Sequence, residues 1–242
     1  MAFFFGKNRR AAKKRPKCTA VIAAAGLSQR MGGEDKLFVE VCGAPVLAHT
    51  LAAFQNCGCI DEIVVVTREE SVGPVSELCR KHGIEKAAKV MVGGATRAES
   101  VMLGVFAASD KAKLIAIHDG ARPCVSKAVI EGAVAAAAKF HAAAPGLPVS
   151  STLKKVSGGA IVETVGREGL FEIQTPQVFD ADLIKAALAN AVDKGIDVTD
   201  DCAAAEIIGA SVRVTEGSGR NIKITTGEDV QIAEAILAMH NA

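Results

Sequence analysis

Long apolar runs are missing from this chain. No stretch approaches the ~18 residues that a membrane-crossing helix needs, so a helical membrane protein is not expected. Two common phosphate-loop fingerprints are missing as well. No GxxxxGK occurs, which excludes a P-loop, and the glycine-containing turn near the start is not GxGxxG, because Ser28 and Met31 fill the second and third glycine places. That second absence disfavours a dinucleotide-dependent dehydrogenase. Metal and disulfide spacings are also lacking. The seven cysteines (18, 42, 57, 59, 79, 124 and 202) are scattered and odd in number, only Cys57 and Cys59 are close, and no histidine pair sits near them. They read as reduced, mostly buried thiols of a cytoplasmic protein.

Acidic residues are absent from the first eighteen positions, which hold seven lysines and arginines (Lys7, Arg9, Arg10, Lys13, Lys14, Arg15, Lys17). The remaining chain has 21 basic against 27 acidic residues, a net of −6, which argues against nucleic acid as its main partner. The short apolar Ala2–Phe5 precedes the charges, the reverse order of a signal peptide. Residues 1–17 are therefore expected to form a basic, disordered tail. The rest, 18–242, has the length and composition of one soluble α/β domain: 50% of the whole chain is hydrophobic and 23% charged.

Within that domain, apolar strand-like runs alternate with helical patterns. Strands are expected at 18–23, 62–67, 90–92 and 114–118, and helices at 44–55, 71–82, 97–108 and 126–141. Such alternation implies a mostly parallel, Rossmann-like sheet covered by helices on both faces. The pattern changes at Pro145. Residues 147–165 read as a hairpin around Ser157-Gly158-Gly159, too small to bury both faces itself, hence an arm towards a partner subunit or a flap over the site. Helices follow at 180–194 and 200–208, the latter with Thr199 as N-cap. Strands are expected at 212–215 and 221–225, and a last helix at 226–241 with a capping box from Thr225 to Glu228.

Polar residues collect after the strands, where ligands of α/β sheets bind. The first such loop, AAAGLSQRMGGEDK (23–36), lets backbone N–H groups approach a phosphate and adds two cations, Arg30 and Lys36. It is similar to the signature loop of nucleotidyltransferases that expel pyrophosphate. Gly93-Gly94 precedes Arg97 and Ser100; taken alone, Arg97 reads as a surface residue. Asp119, followed by Gly120, Ala121, Arg122 and Pro123, reads as a site carboxylate beside an anion-binding arginine. Lys223 stands mid-strand in Asn-Ile-Lys-Ile-Thr. Arg167 and Thr199 belong to no local motif.

Six blocks make the resemblance specific. GGATRAESV (93–101), IHDGARP (117–123), STLK (151–154), ETVGREGLFEIQTPQVF (163–179), VTDD (198–201) and NIKITTGEDV (221–230) occur in the order of 2-C-methyl-D-erythritol 4-phosphate cytidylyltransferases. The likeness spans about 18–240. The family usually has glycine where Ser28 stands and proline where Asp35 stands, and the first loop also resembles molybdenum-cofactor nucleotidyltransferases, which lack the QTPQ and NIKIT blocks. The resemblance implies cytidylyl transfer from CTP to methylerythritol phosphate, with Mg²⁺ carried by CTP. It implies catalytic roles for Arg30, Lys36, Arg167 and Lys223. Nucleotide contacts fall to Ala24, Ala25, Gly26, Ser28, Gly94, Ala95, Ser100 and Gly120, and acceptor contacts to Asp119, Arg122, Thr152 and Thr199. Asp119 could also reach the metal through water. The hairpin's two-sided patterning leaves an apolar face the sheet cannot cover, so a homodimer joined by the arm is expected, and the resemblance then brings Thr152 and Arg167 to the partner's site. A ribitol 5-phosphate cytidylyltransferase, a molybdenum-cofactor nucleotidyltransferase and a non-catalytic nucleotide-binding regulator are the alternatives.

Overall fold

Strand β1 (Cys18–Ala24) shows how the sequence builds the sheet. Its side chains alternate between two apolar clusters: Cys18, Ala20, Ile22 and Ala24 face one, and Val21 faces the other. A strand buried on both faces reads as a continuous apolar run, which is what CTAVIAA is. The same division holds for β4 (Glu62–Thr67), where Ile63 and Val65 point one way and Val64 and Val66 the other. This computed structural model describes residues 15–26 and 35–240, the side chain of residue 240 excepted.

The parallel half of the sheet contains β5 (Ala87–Val92), β4, β1 and β6 (Leu114–Asp119), in that spatial order. One face is covered by α1 (Val46–Gln55), α2 (Val72–Lys81), α4 (Lys127–Phe140) and α7 (Gly227–His240). The other is covered by α3 (Arg97–Ala107), α5 (Ala181–Asp193) and α6 (Asp201–Ile207). Gly104 lets α3 approach closely, since a Cβ there would stand 2.6 Å from Val21 Cγ1 and Val66 Cγ2. A doubly covered α/β sheet is thus the observed architecture.

Beyond β6 the sheet becomes mixed. Antiparallel β11 (Gln177–Asp180) lies between β6 and β7 (Ala142–Pro148), and β10 (Phe171–Ile173) and β12 (Arg213–Glu216) also pair with β7. The chain enters β7 directly from α4, through His141 in the left-handed region at φ 71°. The expected arm starts later than 147: β7 occupies 142–148, and the hairpin proper is β8 (Leu153–Ser157) with β9 (Ala160–Val165). Its two-residue turn, Gly158-Gly159, has both φ positive (57° and 81°), the backbone that matches strand twist. A small separate pair, β2 (Glu40–Val41) and β3 (Ala44–Pro45), follows the first loop, so the first helix begins at Val46 rather than 44.

Three further expectations are corrected. Residues 221–225 form no strand; they cross the end of β6, where Ile224 donates its N–H to the Ala121 carbonyl and is fully buried. The N-cap of α6 is Asp200, whose carboxylate accepts from the Ala203 N–H, not Thr199. At α7 the capping acceptor is Asp229 rather than Glu228, taking hydrogen bonds from the Thr225 N–H and hydroxyl and the Thr226 N–H. The inner end of the basic tail is ordered: Arg15 pairs with both Asp61 oxygens at 2.7 and 2.9 Å and donates to the Gly58 and Cys59 carbonyls. Residues 1–14 lie outside the described residues. No helix among the described residues is long and apolar enough to cross a membrane.

Candidate active site

The carboxyl ends of β1 and β6 open into a cavity of about 360 Å³. Its floor is small: Ala23, Ala24, Ala25 and Gly26 from the end of β1, and Gly94 and Ala95 from the loop before α3. That loop is tightly folded. The Ser100 hydroxyl accepts from the Gly94 N–H at 3.1 Å, and a Cβ on Gly94 would fall 2.4 Å from Glu99 Cβ. The Glu99 carboxylate accepts from the Ala95 N–H, while Thr96 and Glu99 cap α3 reciprocally. In this loop Gly93 and Gly94 leave no room for a side chain, which would collide with Ser100 and Glu99.

Charge is concentrated around one carboxylate. Asp119, the last residue of β6, has Lys223 Nζ at 3.0 Å and Arg122 Nε at 3.3 Å from Oδ2, and Arg97 at 3.9 Å from Oδ1. Burial works against its charge, but Lys223, then Arg97 and Arg122, hold it well below the usual carboxylate range. Arg97 forms a second, bidentate pair with Asp201 at 3.0 and 2.8 Å. Asp201 is fully buried at the start of α6. Burial opposes the guanidinium charge too, and Asp201 followed by Asp119 holds Arg97 above its ordinary value. Lys36 also lines the cavity, its ammonium donating at 2.9 Å to the carbonyl of Ile224, the residue after Lys223. Asp35, beside it, pairs with Arg68 and accepts from the Leu37 N–H.

The segment Gln174–Gln177 ties these pieces together. Gln174 bonds both ways with Ser218, and its Oε1 also accepts from Asn221 Nδ2. Asn221 in turn donates to the Thr175 carbonyl, and its own carbonyl accepts from Arg122 at 2.6 Å. The Thr175 hydroxyl accepts from the Asp119 N–H and meets His118 Nδ1 at 2.8 Å. His118 Nε2 faces the Arg122 carbonyl at 3.4 Å. A carbonyl only accepts, so Nε2 carries the proton and Nδ1 accepts from Thr175. Complete burial pushes the His118 imidazole down to about 3, leaving it neutral. Gln177 accepts from the Asp201 and Cys202 N–H groups and donates to Asp200.

Of the residues singled out in the sequence, Ala24, Ala25, Gly26, Lys36, Gly94, Ala95, Ser100, Asp119 and Lys223 line the cavity, and Arg122 stands behind Asp119. Gly120 does not line it. Its N–H donates to the Ala23 carbonyl and its own carbonyl accepts from Thr50, so it packs the loop against β1. Thr152, Arg167 and Thr199 are exposed and line no part of the cavity; Arg167 donates to the Ser150 carbonyl. Ser28 and Arg30 lie outside the described residues. Sequence reasoning read Arg97 as surface and passed over Asp201, His118 and the hydrogen-bonding work of Gln174, Thr175 and Gln177. The QTPQ block was visible as a motif, but its partners are distant in sequence. Among the described residues no group of three His, Cys, Asp or Glu side chains could hold a metal.

The chain is similar to known proteins over nearly its whole length. The family model for IspD, 2-C-methyl-D-erythritol 4-phosphate cytidylyltransferase, matches residues 18–239. A 2-C-methyl-D-erythritol 4-phosphate cytidylyltransferase from Halalkalibacterium halodurans is 45% identical over 221 residues, covering 91% of this chain and 96% of that protein. One from Dehalococcoides mccartyi is 41% identical over 222 residues, covering 91% and 96%. Among solved structures, the 2-C-methyl-D-erythritol 4-phosphate cytidylyltransferase of Thermus thermophilus superposes with a TM-score of 0.77 at 35% identity, covering 90% of this chain and 98% of that one. The 4-diphosphocytidyl-2C-methyl-D-erythritol synthase of Anaerococcus prevotii reaches 0.81 at 30% identity, covering 92% and 96%.

Proposed function

The chain belongs to the 2-C-methyl-D-erythritol 4-phosphate cytidylyltransferase family, and from that premise we propose how its residues divide the work. The reaction joins CTP and 2-C-methyl-D-erythritol 4-phosphate to give 4-diphosphocytidyl-2-C-methyl-D-erythritol and pyrophosphate, a step of isoprenoid precursor synthesis. A phosphate monoester has its second pKa near ~6, so the acceptor is largely dianionic at neutral pH and needs no general base. His118, buried and neutral, is not asked to be one. The difficulty is to bring two polyanions together and to stabilise charge on the α-phosphoryl group during in-line attack.

The observation that carries this reading is the cluster of cations around the small-residue floor. Lys36, Arg97 and Lys223 line the cavity and Arg122 backs it, with Asp119 the one acidic side chain in the lining among the described residues. The floor, Ala24–Gly26 with Gly94, Ala95 and Ser100, takes the nucleotide through backbone groups. Its smallness favours a pyrimidine. Ser28 contributes from the same loop. Lys36 and Arg30 stabilise the α-phosphoryl group, and Lys223 with Arg122 receives the acceptor phosphate. Thr199 contacts the acceptor from the loop before α6.

The hairpin carries an exposed apolar face, with Val156 57%, Ile161 66% and Val162 56% exposed. We assign it to a homodimer in which Thr152 and Arg167 of each arm serve the other subunit's acceptor site. Mg²⁺ would be carried by CTP. One carboxylate, substrate phosphates and retained waters make a donor set that suits Mg²⁺, and Asp119 supplies the carboxylate. Because Lys223 and Arg122 already engage its Oδ2, Asp119 would hold the ion through water. When bound, the ion neutralises triphosphate charge. A cytoplasmic location is supported by seven cysteines that are all free.

A pyrophosphate-release assay crossing the four nucleoside triphosphates with methylerythritol, ribitol and glycerol phosphates tests the assignment. Turnover is expected with CTP and methylerythritol phosphate. Equal rates with ribitol phosphate would move the acceptor specificity elsewhere in the class.

A further inference from the structure

At the far end of the sheet from the cavity lies a second cluster of chemistry-bearing groups. The turn Cys57-Gly58-Cys59 joins α1 to β4 beside the start of β1, where the Asp61 N–H meets the Cys18 carbonyl. The seven residues of β1, roughly 20 Å of strand, separate it from the cavity. Cys57 Sγ and Cys59 Sγ stand 3.2 Å apart, close enough to share a hydrogen bond. Cys57 is fully buried, Cys59 is partly exposed, and Gly58 between them is exposed and offers no side chain to block approach.

The backbone of this turn is held by cations. Lys86 donates to the Cys57 carbonyl at 2.8 Å, and Arg15 donates to the Gly58 and Cys59 carbonyls at 2.7 and 3.2 Å. The Ile60 N–H closes the turn on the Cys57 carbonyl. Residues two apart span at most ~7 Å of extended chain, and this turn is shorter, so their Cα atoms fall within disulfide reach. We propose that Cys57 and Cys59 form a dithiol site that reacts with low-molecular-weight disulfides of the glutathione class and closes to an internal Cys57–Cys59 disulfide.

The sulfur chemistry suits this role. The Cys59 S–H stabilises a Cys57 thiolate, which brings that thiol down to about 6 against the pull of burial; nearby Lys86 helps and Glu131 opposes. The same bond, with burial, raises the second proton of the pair, held by Cys59. Because the shared proton can pass between the sulfurs, the partly exposed Cys59 can take the anionic form. Its thiolate attacks one sulfur of the disulfide RSSR, forming Cys59–S–S–R and expelling RS⁻. Cys57, 3.2 Å away in the dithiol, gives its proton to RS⁻ and attacks Cys59 Sγ, expelling the second RS⁻. Two protein thiols are oxidised to one disulfide and RSSR is reduced to two RSH, the second proton also ending on released thiol. Cys18, close by but fully buried and raised to about 12, stays a thiol.

Peptide mapping of the full chain tests the proposal. Reduced protein is incubated with oxidised glutathione, alkylated and cleaved with trypsin. Peptide 37–68 carries both cysteines and also the exposed Cys42, which serves as an internal control. The expected product lacks two hydrogens, and fragmentation places the link at Cys57–Cys59. In a Cys57→Ala variant the reaction should stop at glutathione on Cys59, and Cys59→Ser should form no internal link while keeping the parental transfer rate. A wild-type product with a persistent mixed disulfide on Cys59 would overturn the proposal. So would thiols at 57 and 59 that stay free while Cys42 reacts. Should Cys57→Ala fail to fold, the wild-type map decides alone.

Discussion

His118 makes the protein acid-labile in a way that can be worked out before measurement. Its ring is fully buried against Phe54, with centroids 4.8 Å apart, and accepts from Thr175 while donating towards the Arg122 carbonyl. Burial lowers its pKa from 6.5 to about 3. In the unfolded chain the same ring takes up a proton near ~6.5. Between those values the unfolded state binds more protons, so stability is fully present above about pH 6.5 and is lost as pH falls towards 3. From pH 7.5 to 5.0 the loss from this one group is about 2 kcal/mol, and a unit's change in the folded value barely alters it. Other histidines and the carboxylates add their own slopes, so the quantity to measure is a difference. Urea unfolding of the parent and of His118→Gln, each at pH 7.5, 6.5, 5.5 and 5.0, should give a parent that loses about 2 kcal/mol more over the range. Parallel losses in the two proteins would refute the idea of a histidine kept neutral by burial. The site is involved as well, because a protonated Nδ1 would compete for the Thr175 oxygen that now accepts the Asp119 N–H.

Four other outcomes follow from the geometry. Lys36→Ala should lower kcat by ~10²-fold or more with a smaller change in the KM for CTP; turnover within a few-fold of the parent would leave the charge work to Arg30. Asp201→Asn strands half of the Arg97 pair and should cost about 2–3 kcal/mol, read as a drop of roughly 5–10 °C in Tm by calorimetry. Gly104→Ala forces a methyl against Val21 and Val66 and should lower the denaturation midpoint by the equivalent of about 1–3 kcal/mol, without altering KM. Mixing inactive Lys36→Ala and Arg167→Ala proteins should restore roughly a quarter of parental activity, because about half the dimers are mixed and each has one intact site. No recovery, with subunit exchange confirmed by tag pull-down, would end the shared-site model.

The parallel half of the fold was legible because its strands announce themselves. Glu62–Thr67 has four β-branched apolar residues in a row, and its predicted bounds coincide with β4. The mixed half was not. β7 begins Ala-Ala-Ala-Pro-Gly, poor strand formers that follow an alanine-rich helix, and only its neighbours β11, β10 and β12 give it a place in a sheet. Conversely, Asn-Ile-Lys-Ile-Thr alternates like a strand but pairs with no strand edge among the described residues. In the site, the small-residue turns, Lys36 and Asp119 could be picked out because local chemistry marks them, whereas Lys223 stands out only through the resemblance of its NIKIT block. Arg97 could not be raised above a surface reading, since its partner Asp201 lies 104 positions away. Gln174, Thr175 and Gln177 act through side-chain hydrogen bonds to three separate segments, 118–119, 200–202 and 218–221, and no local pattern encodes those.

The arm leaves the body at Pro148 and returns at Phe171, and those two residues face each other in register across β7 and β10. Between them, Val149 and Leu170 close the neck with a backbone hydrogen bond. The excursion is therefore a cassette whose two ends already touch. Its length and tip sequence can drift, or be exchanged for another lineage's, without disturbing the strand order that builds the cavity. On the shared-site proposal, a lineage could thereby revise how the acceptor is gripped while the cavity at the ends of β1 and β6 stays fixed.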